Sequence, residues 1–579
     1  MKATANKVER GGISLRVTAA AVLIPLNAAS IVFGIIFVIK TDFTAFHNVF
    51  GAILLLTWTG NAFLVWLNSR AGMGSAAAKK IDLLGSVYLV AVIFAAAGMF
   101  AGSFLISSAY SEAFGENVAF YLLLYLSYFG TLALGLALAL LSRRSLPAER
   151  GAGPAAQQPP TRTAKNAGRF WGRVALFILL VLGFYLAYVL LFSSSVCREP
   201  LELLVSQLAL FLALLFSSVV ILLLKQYRGR RNRLAYNIIA AAGGALCLVF
   251  LLPLGAMPSA ALKAERDFSV AFGEDWRERI EETAGQNFTG TCFSLPAYFL
   301  GYPSRDYSVI KDVLYYEGTG GADEGVSLYF DAYLPPGAEG QAQPGKSAVL
   351  IRIHGGGWVS GGKGLRNMMQ MNKYFASRGY VVFDLQYGLS SLLGEGPGIL
   401  GAPEHVIGPF IADDMIRHLG IFTRFLEKHA ADYGADLDAV FISGGSAGGH
   451  LATALTLALS RGAYPELVSP ALTVRGVIPF YPGNRVNSLR EIGGSPEWLD
   501  VEMLVDENSP PCLIYQGSHD GLVPPEVSYS YRDTCVAAGA APCAVLLMPF
   551  GGHASDLGFT GYYNQLFTYY MERFMALYR

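Results

Sequence analysis

Seven stretches of this chain, near 17–39, 46–67, 82–107, 117–141, 171–192, 201–224 and 235–257, are almost uninterrupted runs of apolar residues. Each is long enough to cross a bilayer, which takes roughly 20 residues as a helix. A hydrocarbon layer offers no water to backbone N–H and C=O groups, and a helix satisfies both within itself. The first stretch cannot be only a cleaved signal peptide, because six more follow. Composition agrees: of 579 residues 53% are hydrophobic and 15% charged, with a mean hydropathy of +0.41. A soluble enzyme would carry about a quarter charged residues.

Charge divides the chain in two. Residues 1–257 hold 21 Lys and Arg against 8 Asp and Glu, and the remainder 22 against 35. Of those 21, 19 fall in the segments 1–16, 68–80, 142–173 and 225–233. The intervening loops hold Lys40 and Arg198, and 108–116 carries Glu112 and Glu116. Basic loops remain on the cytoplasmic side. The N-terminus is therefore expected in the cytoplasm, and seven crossings put everything after Met257 outside it.

The membrane half predicts location rather than chemistry. Asp82 and Glu202 lie at segment ends, as interfacial anchors do. Runs such as Ala95-Ala96-Ala97-Gly98 and Ala240-Ala241-Ala242-Gly243-Gly244 suit close helix packing. Residues 145–168, rich in Pro, Ala, Gln and Arg, read as a flexible cytoplasmic loop. Residues 258–305 read as a connection. Within it, 256–261 has some likeness to a signal-peptidase site, 275–280 suggests a short amphipathic helix at a surface, and Asn287-Phe288-Thr289 is a glycosylation sequon.

From 306 to 579 strand-like runs alternate with helical patterns, the pattern of a mostly parallel sheet covered on both faces by helices. One run, Val440-Phe441-Ile442-Ser443, leads into Gly444-Gly445-Ser446-Ala447-Gly448-Gly449 and then a helical pattern. That context is a nucleophile elbow, a strand-to-helix turn tight enough to strain the serine backbone and expose its Oγ. Gly444 and Gly448 fall where strand and helix crowd. The run 348–353 enters His354-Gly355-Gly356-Gly357-Trp358, whose backbone amides can approach a substrate oxygen unobstructed. With the amide of Ala447, those of Gly356 and Gly357 make a candidate oxyanion hole.

An acid and a base then have to follow the serine. Strand 512–516 ends near Asp520 and strand 543–548 near His553, each in a loop at a strand's C-terminal end, where open parallel sheets gather their sites. His553 would take the Ser446 proton while Asp520 holds the imidazole tautomer. Of eight histidines only His553 follows Asp520. His450 reads as structural, His354 as a brace for its glycine loop, and Asp506 and Asp556 as less well placed than Asp520. His and carboxylate residues do not cluster at ligand spacing, so no metal and no cofactor is expected.

These motifs together make residues 306–579 resemble an α/β-hydrolase of the carboxylesterase/lipase group with the His-Gly-Gly-Gly motif, which includes hormone-sensitive-lipase-like esterases. The resemblance implies Ser446, Asp520 and His553 as catalytic triad and Gly356, Gly357 and Ala447 as oxyanion hole. Two departures stand out. Gly445 precedes the serine where the hormone-sensitive-lipase branch usually has Asp, and the seven-helix half has no counterpart in a typical soluble member. The expected architecture is thus multi-domain, with an all-α seven-helix transmembrane domain (1–257), a connection (258–305) and an α/β-hydrolase domain (306–579). Its expected partners are the lipid bilayer and a small-molecule or lipid ester, with no nucleic acid. An acyltransferase or peptidase would use the same triad, and a receptor or transporter could carry the fold as a binding module. Trp358, Phe480 and Tyr481 suit either a substrate pocket or the core. Cys535 and Cys543 suit either a disulfide or two free thiols.

Overall fold

The computed structural model describes all residues except 1, 41–44, 71–74, 150–163, 193–201, 229–231, 282–287, 303, 305, 337–346, 366–367 and 394–400. The apolar stretches form helices α1 (Lys2–Ile39), α2 (Ala45–Ser69), α3 (Ala76–Ser107), α4 (Val118–Glu149), α5 (Ala164–Phe192), α7 (Ala209–Gln226, after the one-turn α6, Glu202–Val205) and α8 (Arg233–Phe272). Among the described residues, seven helices are thus long and apolar enough to cross a membrane. The loop expected over 145–168 is helical at both ends. Residues between Glu149 and Ala164, like Asn287 of the sequon, lie outside the described ones.

Small residues let these helices approach closely. A Cβ at Gly98 would lie 2.2 Å from Ser127 Oγ, and one at Gly135 only 2.1 Å from Asn61 Nδ2. Asn61 and Asn27 exchange two hydrogen bonds, of 2.9 and 3.0 Å, between α2 and α1. With no water to compete, such a reciprocal amide pair fixes helix register. Asp82 meets Lys225 and Arg228 at 3.2 and 2.8 Å.

The second half is built on strands β1 (Ser308–Glu317), β2 (Ser327–Leu334), β3 (Ser347–Ile353), β4 (Val381–Leu385), β7 (Ala435–Gly445), β8 (Val474–Phe480), β9 (Cys512–Gly517) and β10 (Cys543–Met548). They form one sheet in the order β1-β2-β4-β3-β7-β8-β9-β10, apart from the two-residue pair β5 (Leu389–Ser390) and β6 (Ile407–Gly408). β2 is antiparallel to β1 and β4, and every other neighbouring pair in the sheet is parallel. Helices α11 (Met368–Ala376), α12 (Ala412–His429), α13 (Ala447–Arg461), α16 (Pro525–Ala537) and α17 (Tyr562–Tyr578) connect or follow the strands, with short α14 (Asn487–Ile492) and α15 (Pro496–Leu499) after β8. Alternate strand residues enter two cores. Val349 and Ile351 join α12 and α13, while Ala348 and Leu350 join α11 and α17. Burial on both faces explains why the strands read as continuous apolar runs.

The core on the α11 and α17 side does not stop at the sheet. It continues through Phe268, Phe272 and Phe299 to Leu54, Trp58, Tyr88 and Tyr128 of the bundle. α8 carries this continuity. The apolar run ends near 257, but Lys263, Glu265 and Arg266 interrupt hydropathy while remaining good helix formers, so the helix extends to Phe272. Residues 256–261 therefore sit inside a helix. α9 (Trp276–Glu281) turns back, with Trp276 buried 5.1 Å from Phe268 and the helix packed on α17. It forms a cap over the end of α8. α10 (Leu295–Leu300) is buried throughout and packs among α1, α2, α3 and α4.

Polar contacts join the halves at the end of the bundle opposite the basic segments. Lys373 Nζ on α11 donates to the carbonyls of Ser107 (3.0 Å) and Ala109 (2.7 Å), capping α3, and pairs with Glu112 at 2.7 Å. Burial pushes Glu112 up and Lys373 down, and their mutual attraction opposes both shifts. Tyr110 OH donates to Asp331 (2.7 Å), and Tyr298 OH donates to the Gln207 carbonyl (2.8 Å).

Asp331 also faces a second buried carboxylate, Asp384, across β2 and β4. Burial first, then the Asp331 charge, pushes Asp384 up to about 7. The folded chain thus holds a proton that the unfolded chain releases near the ordinary carboxylate value, so this group costs stability as pH rises from about 4 to about 7. Asp384→Asn keeps an oxygen for the Gly364 amide (2.9 Å) and cannot ionise. Its stability relative to wild type is expected to rise across that window by at most about 1.4 kcal/mol per pH unit. Thermal unfolding at several pH values measures this, and a pH-independent difference would exclude the assignment.

Candidate active site

β7 ends at Gly445, α13 begins at Ala447, and the reversal falls on one residue. Ser446 accordingly has φ 56° and ψ −119°, a conformation costing an L-residue about 1–3 kcal/mol. Backbone bonds hold it there: its N–H donates to Phe480 O (2.9 Å), and its carbonyl accepts from Gly483 and His450 (both 3.0 Å). The crowding expected at Gly444 and Gly448 is present. A Cβ on Gly444 would lie 2.3 Å from Gly448 O, and one on Gly448 would lie 2.2 Å from Ile353 O.

The loops after β9 and β10 bring Asp520 and His553 to this turn. His553 Nε2 lies 2.9 Å from Ser446 Oγ, and His553 Nδ1 lies 2.8 Å from Asp520 Oδ2. A carboxylate only accepts, so Nδ1 carries the proton and Nε2 is left to accept from the serine hydroxyl. Asp520 is itself fixed: Oδ1 accepts from the amides of Leu522 (3.0 Å) and Val523 (2.8 Å). Gln516, whose Nε2 donates to Val523 O (3.0 Å), braces the same loop and is anchored by Ser528 Oγ (2.7 Å). Asp520 and His553 are both buried.

The glycine loop after β3 runs beside the serine. A Cβ on Gly355 would come within 3.4 Å of Ser446 Cβ. Gly356 and Gly357 have φ 130° and 64°, values open to glycine, and the Gly356 carbonyl is held by Ser360 N (3.0 Å) and Oγ (2.8 Å). Among the described residues, the amides of Gly356 and Gly357 donate no hydrogen bond. Ala447 opens α13, where the first amides have no acceptor within the helix. All six residues singled out from the sequence therefore lie around one turn.

The other histidines have different work. His354 stacks on Tyr387 (4.5 Å between rings) and lies 2.9 Å from the Gly355 carbonyl, bracing the loop. His450 accepts from Trp358 Nε1 at Nδ1 (3.3 Å), so its Nε2–H donates to Trp498 O (2.7 Å). Burial lowers both to about 4, leaving them neutral. His519 stacks on Phe550. Trp358 is buried with His450, and Phe480 stacks on Tyr515 in the core. Asp506 pairs with Arg461 at 3.4 Å.

Sequence reasoning missed a second support of the base. Tyr481 lies 4.6 Å, ring to ring, from His553, and its hydroxyl donates to buried Asp556 (2.6 Å). Burial pushes Asp556 up, while the Tyr481 hydroxyl and the nearby Arg352 and His553 oppose that shift. Asp556 follows no strand, so the rule that found Asp520 passes over it. Among the described residues, no group of His, Cys, Asp and Glu could hold a metal ion. Cys512, Cys535 and Cys543 are buried and free.

Residues 330–491 match the protein family described as BD-FAE, a span that includes Ser446 and the glycine loop but ends before Asp520. The chain is 25% identical over 316 residues to Esterase LipQ of Mycobacterium tuberculosis, covering 50% of this chain and 68% of that one. It is 24% identical over 275 residues to a protein of the same organism named "Probable carboxylic ester hydrolase LipM", covering 44% of this chain and 58% of that one. Among solved structures, the butyrate-bound esterase Est2 of Thermogutta terrifontis aligns with a TM-score of 0.36 at 23% identity, over 45% of this chain and 92% of that one.

Proposed function

We propose that this chain is a membrane-bound serine hydrolase of carboxylic esters acting outside the cytoplasm, with Ser446 as nucleophile, His553 as general base and Asp520 as its orienting acid. The observation that carries this reading is the unbroken relay from Ser446 Oγ to His553 (2.9 Å) and from His553 to Asp520 (2.8 Å). The similarity to named esterases supports the ester substrate.

Ser446 Oγ attacks the ester carbon as its proton passes to His553 Nε2. Asp520 stabilises the imidazolium, and the amides of Gly356, Gly357 and Ala447 receive the developing oxyanion. The imidazolium returns its proton to the departing alcohol, leaving an acyl-Ser446. Water, deprotonated by the same histidine, releases the acid and regenerates the serine. The distribution of basic segments supports an outer location, since the hydrolase packs on the bundle end that lacks them.

Full-length protein is expected to hydrolyse 4-nitrophenyl esters and to be labelled at Ser446 by a fluorophosphonate. A folded wild type that does neither would leave the domain as a binding module. Faster transfer to an added alcohol than to water would make it an acyltransferase.

A further inference from the structure

The direction of the sheet relative to the bundle is set by two neighbouring helices. α8 leaves the bundle and runs alongside α17 in the same sense: Tyr570 OH donates to Glu265 (3.0 Å), Phe268 lies 5.1 Å from Tyr570, and Phe272 lies 5.2 Å from Phe574. α17 begins at the bundle, where Tyr562 OH donates to the Ser206 carbonyl and its ring stacks on Tyr298 at 5.4 Å. α17 follows the loop of His553, which leaves the C-terminal end of β10. The sheet edge that carries the triad therefore faces the membrane helices, and the opposite edge points away.

The loops of the base and the acid rest on those helices. Phe550, three residues before His553, has φ 61° and packs against the apolar cluster of Leu186, Val189, Phe216 and Phe250 from α5, α7 and α8. Its amide donates to Ser518 Oγ (2.9 Å), and its ring stacks 5.4 Å from His519, next to Asp520. Beyond His553, the Gly558 amide donates to Gln207 Oε1 (2.6 Å) between α6 and α7. Val181, Phe184 and Phe192 of α5 leave apolar side chains exposed on the half of the helix that carries Leu186 and Val189, as a lipid-facing helix does. Leu522, two residues after Asp520, is also half exposed.

From this arrangement, and resting on the esterase reading above, we infer that Ser446 draws its ester from the bilayer and that the substrate is an acyl ester of a membrane-resident amphiphile. An ester group sits at the boundary of hydrocarbon and water, the level at which the outer ends of α5 and α7 hold the triad loops. The acyl chain can then stay in lipid while the carbonyl reaches Ser446. Withdrawing the chain into water would cost more with every methylene. A freely soluble ester gains nothing from a catalytic edge turned toward the membrane.

Full-length protein in dioleoylphosphatidylcholine vesicles, given 4-methylumbelliferyl oleate either in its own bilayer or in separate vesicles, tests this. At equal total ester, cleavage in the shared bilayer is expected to be at least about tenfold faster before lipid exchange equilibrates the two. Equal rates, or cleavage of 4-nitrophenyl acetate without cleavage of the oleate ester, would overturn the inference and leave the esterase intact. Loss of Ser446-dependent acetate cleavage as well would remove the esterase reading with it.

Discussion

Replacing Ser446 by alanine is expected to lower ester hydrolysis by a factor on the order of 10⁶, since nucleophile and base act as one unit. What remains should be the 10³–10⁴-fold advantage over water that binding and oxyanion amides typically supply. Asp520→Asn should cost about 10⁴ by a different route. Asp520 Oδ1 is held by two backbone amides, so the Asn nitrogen would face His553 Nδ1. That nitrogen donates, Nδ1 becomes the acceptor, and the ring proton moves to Nε2, which can then no longer accept from Ser446. Initial rates on 4-nitrophenyl butyrate, with circular dichroism showing intact fold, measure both effects. A folded Ser446→Ala protein retaining a tenth of wild-type activity would sink the assignment.

The largest effect on stability is expected at Lys373. Its ammonium pairs with Glu112 and caps α3 through two carbonyls, and both side chains are buried. Lys373→Met removes the cation but leaves the acid in place. Breaking a buried pair in this way costs about 3–5 kcal/mol, because the remaining charge has no partner and no water. Adding Glu112→Gln to Lys373→Met should recover part of the loss, and the double-mutant cycle isolates the pair from the cap. Denaturation of the full chain in detergent provides the measurement. A loss below about 1 kcal/mol would mean the junction does not depend on this pair.

Different parts of the molecule were legible to different degrees. The seven long apolar helices declared themselves because a helix long enough to cross a bilayer has to be apolar over its whole length, whatever it packs against. Ser446, Asp520 and His553 stood out because each falls just past an apolar strand run, and parallel strands carry their ends to a common edge. Tyr481 and Asp556 stayed hidden because their role exists only beside a folded His553. The helical run to Phe272 was hidden for a related reason: the apolar run ends near 257, whereas backbone hydrogen bonding continues.

By itself, then, the sequence determined the seven apolar helices, the alternation that builds the sheet, and the residue types at each strand end, all of which follow from local hydropathy and turn chemistry. Only the tertiary structure decided how the halves meet. The sharing of one core, the pairing of Lys373 with Glu112 and the turning of the sheet edge that carries Ser446 toward the bundle arise between residues hundreds of positions apart. A side chain's chemistry is written at its own position, but its partner is fixed by how the helices and sheet pack.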